Sequence, residues 1–397
     1  MPRWLPSRSV EARIDLDATS SVSWQQSETQ IFTGSQPIVG RACFHSKKPQ
    51  NGLRYRVIVK GVIETRIAND VNGSIQSNTD TQEYAFVSSV LFDGPMENGK
   101  SKTEIPFDFT LARWEPDTGA RNEYSRGSST QGMPPSINSK QAKKRWSENF
   151  STDPAVHYKI TYKIVASAFR KGDRIAAASR PFDYVPALHS PPPPIPTEDY
   201  PEEYVLRTTK MVRKALGTTQ IGVIGQEPAP LTIYPGQHQA HTKIDLLFML
   251  VRNQSTDVED SIWQLPRSYC IKAQLKTTTF VMQRPAPRAL HVLESNHFNR
   301  PIVRERKDEV QVYENVFAEW EVHDSSDSDD DSRQSFKEIT TASASTPFTI
   351  SIDPSFTPDF WTPLLSRRHA IELSVTFDKD PSTTTKLRLP VQIYHSS

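Results

Sequence analysis

The chain has 397 residues, with 47 basic and 46 acidic side chains and a formal net charge of +1 at pH 7. This length suffices for two domains of ordinary size. The balanced charge excludes a general attraction to nucleic acids or membranes through net charge. Proline is abundant, at 31 residues, and glycine is scarce, at 15. Together with many runs of β-branched residues, this composition favours an all-β protein rich in loops.

The chain contains two cysteines, Cys43 and Cys270. One possible pair does not make a disulfide framework, and few thiols are typical of a reducing compartment. No apolar run approaches the roughly 18 residues that span a bilayer, and the first residues lack the apolar core of a secretory signal. We therefore expect a soluble, cytoplasmic protein.

Alternation of apolar and polar residues is the dominant pattern along the chain. It recurs in EIPFDFTL (104–111), AVHYKITYKIVASAF (155–169), TKIDLLFML (242–250), AIELSVTF (370–377) and KLRLPVQIY (386–394). This period of two predicts half-buried strands, and one apolar face per strand predicts that sheets pack in pairs as a sandwich. In YRVIVKGVIETRI (55–67) the alternation shifts near Gly61, which predicts a bulge or bend.

Signals for helices are few. SINSKQAKKRWSENF (136–150) predicts a short helix capped by Asn138 or Ser139, inside a long polar insertion, residues 112–154. TTKMVRKALG (208–217) fits a helical turn or a strand equally well.

A basic run lies in the predicted helix. Its members are Lys140, Lys143, Lys144 and Arg145, followed by Trp146. On a helix, such cations can face anionic headgroups at about 1 kcal/mol each, with the indole at the interface. We hypothesise that this run contacts acidic lipid or a phosphorylated tail, which implies peripheral contact at the plasma membrane or endosomes. The alternative is a solvated surface helix or loop.

Two polar segments are predicted to be disordered, because they bury too little apolar surface to offset the entropy of ordering. They are residues 69–82 and the acidic, hydroxyl-rich residues 324–346. In the second, Ser325, Ser326 and Ser328 precede acidic residues, a context that acidophilic kinases prefer. Phosphorylation would add about −1.5 to −2 charge per site. We hypothesise a regulatory loop, and the alternative is an inert insertion.

No catalytic motif stands out in the sequence. There is neither a Gly-x-Ser-x-Gly elbow nor a glycine-rich phosphate loop. His238 and His241 have a spacing that suits a metal ion but lack a third clustered ligand, so we interpret them as loop or strand-edge residues. Cys43 and Cys270 have no motif context, and we expect small buried core residues. We therefore predict a protein that is not an enzyme and holds no cofactor or metal.

Several segments occur in a characteristic order and spacing along the chain. The first half contributes FTGSQPIVGRACF (32–44), KTEIPFDFTL (102–111), MPPSI (133–137), VHYKITYKIVASAFR (156–170) and ASRPFDYVP (178–186). The second half contributes IGVIGQEPAPLTIYPGQ (221–237), FAEWEV (317–322) and FWTPLLSRRHAIELSVTF (360–377). In their order and spacing these segments resemble the arrestin family, and its fungal alpha-arrestin members most. The resemblance covers about residues 14–394.

This resemblance implies two tandem, immunoglobulin-like, arrestin-type β-sandwich domains. The expected organisation is an N-terminal arm (1–13), a first sandwich (14–187), a proline-rich linker (188–203) and a second sandwich (204–397). It also implies a non-catalytic adaptor that binds cytosolic tails of membrane receptors or transporters and links them to ubiquitin-dependent endocytic sorting.

Fungal members recruit a HECT ubiquitin ligase through Pro-Pro-x-Tyr motifs, whose prolines pre-set a polyproline II helix. This sequence contains no such motif, so we expect any ligase to be reached indirectly. Two alternatives stay open: a coat or retrieval subunit of the retromer arrestin-fold type, and an enzyme on a sandwich scaffold. A free strand edge is another way to bind a peptide, and the first strand, near residues 13–16, is a candidate.

The proline run between the two halves has two interpretations: a docking motif for a partner that binds polyproline, or a strap that joins two domains. Its prolines are Pro191, Pro192, Pro193, Pro194 and Pro196. The next tyrosine is Tyr200, too distant for a WW-domain ligand, and the charges that follow, Glu198 and Asp199, are acidic where polyproline readers prefer a basic residue. We interpret the run as a semi-rigid interdomain strap, with about 3.1 Å per residue in polyproline II geometry.

Overall fold

A computed structural model describes residues 10–17, 30–34, 36–49, 51–69, 78–96, 100–111, 133–138, 156–200, 202–214, 217–234, 237, 239–253, 265–282, 284, 286, 302–307, 310–315, 320–324, 339–352 and 357–396. Nearly all regular structure in these ranges is β-strand, and short 3₁₀ turns occur at Thr197–Asp199 and Pro381–Thr383. Within them, no helix has the length and apolar character needed to cross a membrane.

The first part of the chain builds one sandwich. Its strands are β1 (Val10–Leu16), β2 (Ile31–Thr33), β3 (Ile38–Ser46), β4 (Leu53–Asn69), β5 (Asn78–Pro95), β6 (Lys102–Phe109), β7 (Ile137–Asn138), β8 (Val156–Arg170), β9 (Asp173–Val185) and β10 (Ala187–Leu188). One sheet has the order β1-β3-β6, and the other has the order β2-β9-β8-β4-β5 with β7 paired to β8.

The predicted alternation accounts for the core between these two sheets. In β8, Ile160, Tyr162 and Ile164 are fully buried, and Val57 and Val59 of β4 are buried beside them. The inward residues of β1, β3 and β6 belong to the same cluster. The prediction of a half-buried strand at residues 155–169, and of sheets packed in pairs, is therefore confirmed.

The predicted irregularity near Gly61 is also present. The register of β4 against β5 shifts between Gly61 and Val62, and again between Val57 and Ile58. A Cβ on Gly61 would lie 2.5 Å from Cζ of Phe86. This position therefore requires glycine because an aromatic ring packs directly on its backbone.

The remaining strands build a second pair of packed sheets. They are β11 (Arg207–Lys214), β12 (Gly217–Gly225), β13 (Leu231–Ile233), β14 (Ala240–Asn253), β15 (Tyr269–Val281), β16 (Ile302–Lys307), β17 (Gln311–Asn315), β18 (Glu321–Asp324), β19 (Ile339–Ile352), β20 (Phe360–Trp361), β21 (Leu365–Phe377), β22 (Thr385–Val391) and β23 (Ile393–Ser396). One sheet has the order β11-β12-β14-β19-β18, and the other has β16-β15-β21-β20, with β17 on β15 and β22 on β21.

Two features join the two parts of the chain. Val281, Met282, Leu364 and Leu365 come from the second part but are buried in the first core. A small sheet with the order β10-β23-β13 pairs Ala187 and the residue after it in parallel with the last strand. The two halves therefore share buried apolar surface and backbone pairing.

The prediction of disorder is wrong at the edges of both polar segments. Asn78 and the residues after it belong to β5, so the segment 69–82 is strand at both ends. Ile339–Thr346, in the predicted disordered loop 324–346, is strand in β19. β19 pairs with β14 on one side and β18 on the other, and it buries Ala342 and Ala344. Backbone pairing on both sides stabilises a strand that has few large apolar side chains.

The strand bounds overlap three other segments for which the sequence made predictions. Residues 208–214 form strand β11, so the strand alternative is confirmed there. Ile137 and Asn138 are extended and pair with β8, and the rest of the predicted helix lies outside the described residues, so the helix stays a prediction. Strand β1 begins at Val10, so residues 10–13 lie in the sandwich and not in a separate arm.

Candidate partner-binding site

The first strand leaves one edge open. β1 pairs with β3 in antiparallel register from Val10–Ser46 to Leu16–Gly40, and no described strand pairs with its other edge. Val10 and Ile14 are buried in the first core, whereas Glu11 and Arg13 point outward. The sequence named this strand as a candidate edge, and its alternation places one row of side chains in the core and the other outside.

A groove of about 980 Å³ runs beside this edge. The backbone of β1 forms one wall, and Ala178, Ser179 and Arg180 of β9 line the groove from the other sheet. β2 pairs with β9 only at residues 183–185. The edges of two packed sheets therefore meet at this groove, an arrangement suited to an added extended segment.

The outer face of the three-stranded sheet continues the groove as a charged surface. Arg13 and Asp15 form an ion pair at 2.6 Å, and Glu104 contacts both Lys102 at 2.6 Å and Arg41 at 3.6 Å. The hydrogen bond from Lys102 holds the pKa of the Glu104 carboxyl below its ordinary value and raises the pKa of the ammonium. These pairs are exposed, so they are screened by salt and contribute modestly to stability.

Neither cysteine is a buried core residue. Both are free thiols and half-buried, so the expectation of two buried core cysteines is wrong. Burial raises the pKa of the Cys43 thiol, and the carboxylates of Asp15 and Glu104 raise it further. A thiol held in its neutral form is a weak nucleophile. Cys270 faces outward from β15, between Glu314 and Thr376 in register.

The structure describes one of the two histidines considered for metal binding. His241 lies on β14, with Nδ1 2.7 Å from Oγ of Ser351, and His238 lies outside the described residues. In the part of the chain that the structure describes, no three His, Cys, Asp or Glu side chains are grouped as metal ligands.

The proline run lies against the second part of the chain. The carbonyl oxygen of Pro193 accepts a hydrogen bond from Nε2 of Gln392 at 2.5 Å. The amide of Ile195 donates to both carboxylate oxygens of Glu227 at 3.1 Å. Pro192 is buried, whereas Pro191, Pro193 and Pro194 are exposed, and Pro196 is half-buried. Side chains of the second part therefore hold the run at two points.

A buried polar cluster, which the sequence did not single out, follows the prolines. Glu203 binds Arg368, whose guanidinium stacks between the rings of Tyr200 and Phe280 at 4.4 Å from each. A buried charge needs such partners because desolvation is costly. The sequence signal for this cluster was the pair of arginines in LSRRHAIEL, which lies inside an otherwise apolar strand.

The neighbouring arginine connects the two parts of the chain. Arg367 donates through Nη2 to the hydroxyl of Tyr158 on β8, and through Nε to Thr279, each at 3.1 Å. The alternation places Tyr158 on the core-facing side of β8, but its hydroxyl accepts this hydrogen bond from Arg367.

The remaining candidate residues lie outside the described residues. They are Lys140, Lys143, Lys144, Arg145 and Trp146 of the basic run, and Ser325, Ser326 and Ser328 of the acidic segment. Both hypotheses therefore stay predictions.

Comparison with known proteins gives no relative. No family model matches the chain, and no curated protein matches it. The class that the fold and the site define is an all-β sandwich protein in which a groove lies beside an edge of β1 that no described strand pairs with.

Proposed function

We propose that this protein is a non-catalytic, arrestin-like adaptor built from two tandem β-sandwich domains. In this proposal it binds cytosolic tails of membrane receptors or transporters and links them to ubiquitin-dependent endocytic sorting. It acts in the cytoplasm and at the cytosolic surface of the plasma membrane or endosomes.

One observation carries the proposal: the unpaired edge of β1 lies beside a groove lined by Ser179 and Arg180 of the facing sheet. An extended tail that adds to this edge gains backbone hydrogen bonds, and its side chains occupy the groove. Charges of both signs on the rim, among them Glu11 and Arg41, suit polar tails. Such binding needs no catalytic group.

The docking of the proline run supports a scaffold role. Gln392 and Glu227 bind this run, and Arg368 binds the segment that follows it. A scaffold that presents cargo to a second protein binds with a lower entropic cost when the orientation of its two binding parts is already fixed. Because the sequence has no Pro-Pro-x-Tyr motif, we propose that a ligase is reached through another adaptor.

Proximity labelling in the native host tests this proposal. The full chain is compared with Glu11→Trp, which fills the groove from an exposed position on β1, and with Ala177→Trp, an exposed β9 residue outside the groove lining. We expect the parent and Ala177→Trp to label transporters or receptors, and Glu11→Trp to lose them.

Two results count against the proposal. Equal labelling of membrane cargo by all three proteins would exclude the groove as the binding site. Stable labelling of retrieval-coat subunits in place of cargo would favour the coat-subunit alternative.

A further inference from the structure

The outer face of the six-stranded sheet carries two lysines directly opposite each other. Lys60 of β4 and Lys163 of β8 are partners in the antiparallel register. Their neighbours Val59 and Ile164 are fully buried in the core, so both ammonium groups lie on the outer face, where each lysine is half-buried. Like charges at opposed positions of neighbouring strands repel and destabilise the sheet.

Three arginines on the same face have carboxylate partners. Arg54 and Arg56 both bind Asp93, at 2.6 and 2.7 Å, and Arg66 binds Glu64 at 2.6 Å. Hydrogen bonds from the two arginines hold the pKa of the Asp93 carboxyl below its ordinary value. Among the described residues, by contrast, neither central lysine has an ion-pair or hydrogen-bond partner. Within the described ranges, the repulsion at the centre of the sheet therefore has no counter-ion.

An apolar row lies next to the lysines. Ile58 is the register partner of Val165 on one side and of Val90 on the other. Val90 is 57% exposed, and the other two are half-buried. Residues two apart along a strand are separated by about 6.8 Å, so the cationic row and the apolar row are adjacent. Solvent-facing sheet surfaces usually carry polar residues.

We propose that this face is a docking surface for an extended, acidic segment of a partner protein. Its carboxylates bridge Lys60 and Lys163, and its aliphatic side chains cover Ile58, Val90 and Val165. Charge complementarity carries this assignment, because an anion bound between the lysines removes their repulsion. The apolar row beside the lysines follows the register across three strands, which favours a peptide with alternating acidic and aliphatic side chains as the ligand. The lining of the β1 groove includes none of these residues, so the inference does not depend on the proposed adaptor function.

The test measures stability and binding on the same variants. The probe is a fluorescent 12-residue peptide of alternating Asp and Leu, titrated with the full chain in an anisotropy assay at low and high salt. Lys163→Glu places opposite charges across the strands, so we expect its Tm to rise while its affinity for the peptide falls at least tenfold. Lys60→Glu should behave alike, and Val90→Ser should weaken binding without lowering Tm.

Matched controls separate this surface from others. Lys272→Glu changes an exposed lysine on β15 that faces Ser374 and Val312 in register, and it should alter neither Tm nor affinity. Glu11→Trp, which fills the groove from β1, should also leave peptide affinity unchanged. Failure of the adaptor proposal and failure of this inference therefore give different results.

Three outcomes would overturn the inference. The first is a higher Tm for Lys163→Glu with unchanged peptide affinity. The second is lysine-dependent binding to phosphatidylserine vesicles without binding to the peptide. The third is tighter peptide binding when Asp327, Asp329, Asp330 and Asp331 are replaced by Asn, because the acidic segment of this chain would then be the occupant.

Discussion

Arg368 and Glu203 form an ion pair in which Nη2 donates to Oε1 at 2.8 Å, with side chains only 12% and 8% exposed. The rings of Tyr200 and Phe280 enclose the guanidinium. Arg388 adds a hydrogen bond to the carbonyl oxygen of Glu203. This pair attaches the segment after the prolines to strand β21.

Breaking this pair should strongly destabilise the protein. We expect Arg368→Ala to lower the free energy of unfolding by about 3–5 kcal/mol, because it leaves the Glu203 carboxylate buried without its partner. Urea denaturation measures the effect. Asp245→Asn is the control, since its pair with Lys243 has side chains 56% and 65% exposed and should contribute at most about 1 kcal/mol. Equal effects of the two substitutions would contradict a stabilising role for the buried pair.

Gly61 should not tolerate a larger residue. A Cβ there would lie 2.5 Å from Phe86 and 2.7 Å from Val87, so we expect Gly61→Ala to destabilise by about 1–3 kcal/mol through overpacking. At Gly94 the nearest atom, in Phe92, is 3.6 Å away, and Gly94→Ala should change stability by about 0.5 kcal/mol or less. Thermal melts of the two variants would refute the prediction if they coincided.

Glu372 should contribute stability that disappears in acid. Burial raises the pKa of its carboxyl, but hydrogen bonds from Lys307 and Gln274 and the charge of Lys276 outweigh burial and leave the pKa lowered. A depressed pKa in the folded state means that the contribution is present above the unfolded value of about 4.3. It is lost as the pH falls through the folded value.

We therefore expect the Tm difference between the parent and Glu372→Gln to shrink progressively below about pH 4.3. Lys307→Met removes one hydrogen-bond donor and should reduce the pH dependence in the parent background. Calorimetry across the acid range measures both effects. A Tm difference that stays constant down to the lowest folded pH would show that the carboxylate is not stabilised.

Asp359 should be essential for the final strand. Its Oδ1 accepts from the amide of His369 at 3.0 Å and its Oδ2 accepts from the amide of Ile393 at 2.8 Å. Asp359→Ala leaves these buried donors without an acceptor, at about 1–3 kcal/mol for each. Hydrogen exchange should then accelerate at Ile393, and Asp359→Asn, which keeps one acceptor oxygen, should accelerate it less. Unchanged exchange at Ile393 in Asp359→Ala would be incompatible with this account.

The sequence predicted those strands in which large apolar residues alternate with polar ones. β8, β14 and β21 were predicted because each buries a row of bulky side chains against a second sheet. Strand β19 was assigned to disorder over Ile339–Thr346, where its described buried residues are the small Ala342, Ala344 and Thr346. Its stability comes from pairing on both sides, which no local pattern reveals.

The candidate sites show the same difference between features set by a local sequence pattern and features set by distant residues. The sequence named the edge strand near residues 13–16, because the alternation of β1 is local. It did not single out Arg368, whose partner Glu203 is distant in the chain and whose aromatic neighbours come from separate segments. Side chains far apart in sequence meet only through the packing of sheets.

By itself, the sequence determined that the protein is an all-β chain, where most long strands lie and that β4 is irregular near Gly61. The tertiary structure decided which strand edges stay open, which charges find partners and that Lys60 faces Lys163. The reason is physical: alternation depends on neighbours two residues apart, whereas register and sheet order depend on hydrogen bonds between distant segments.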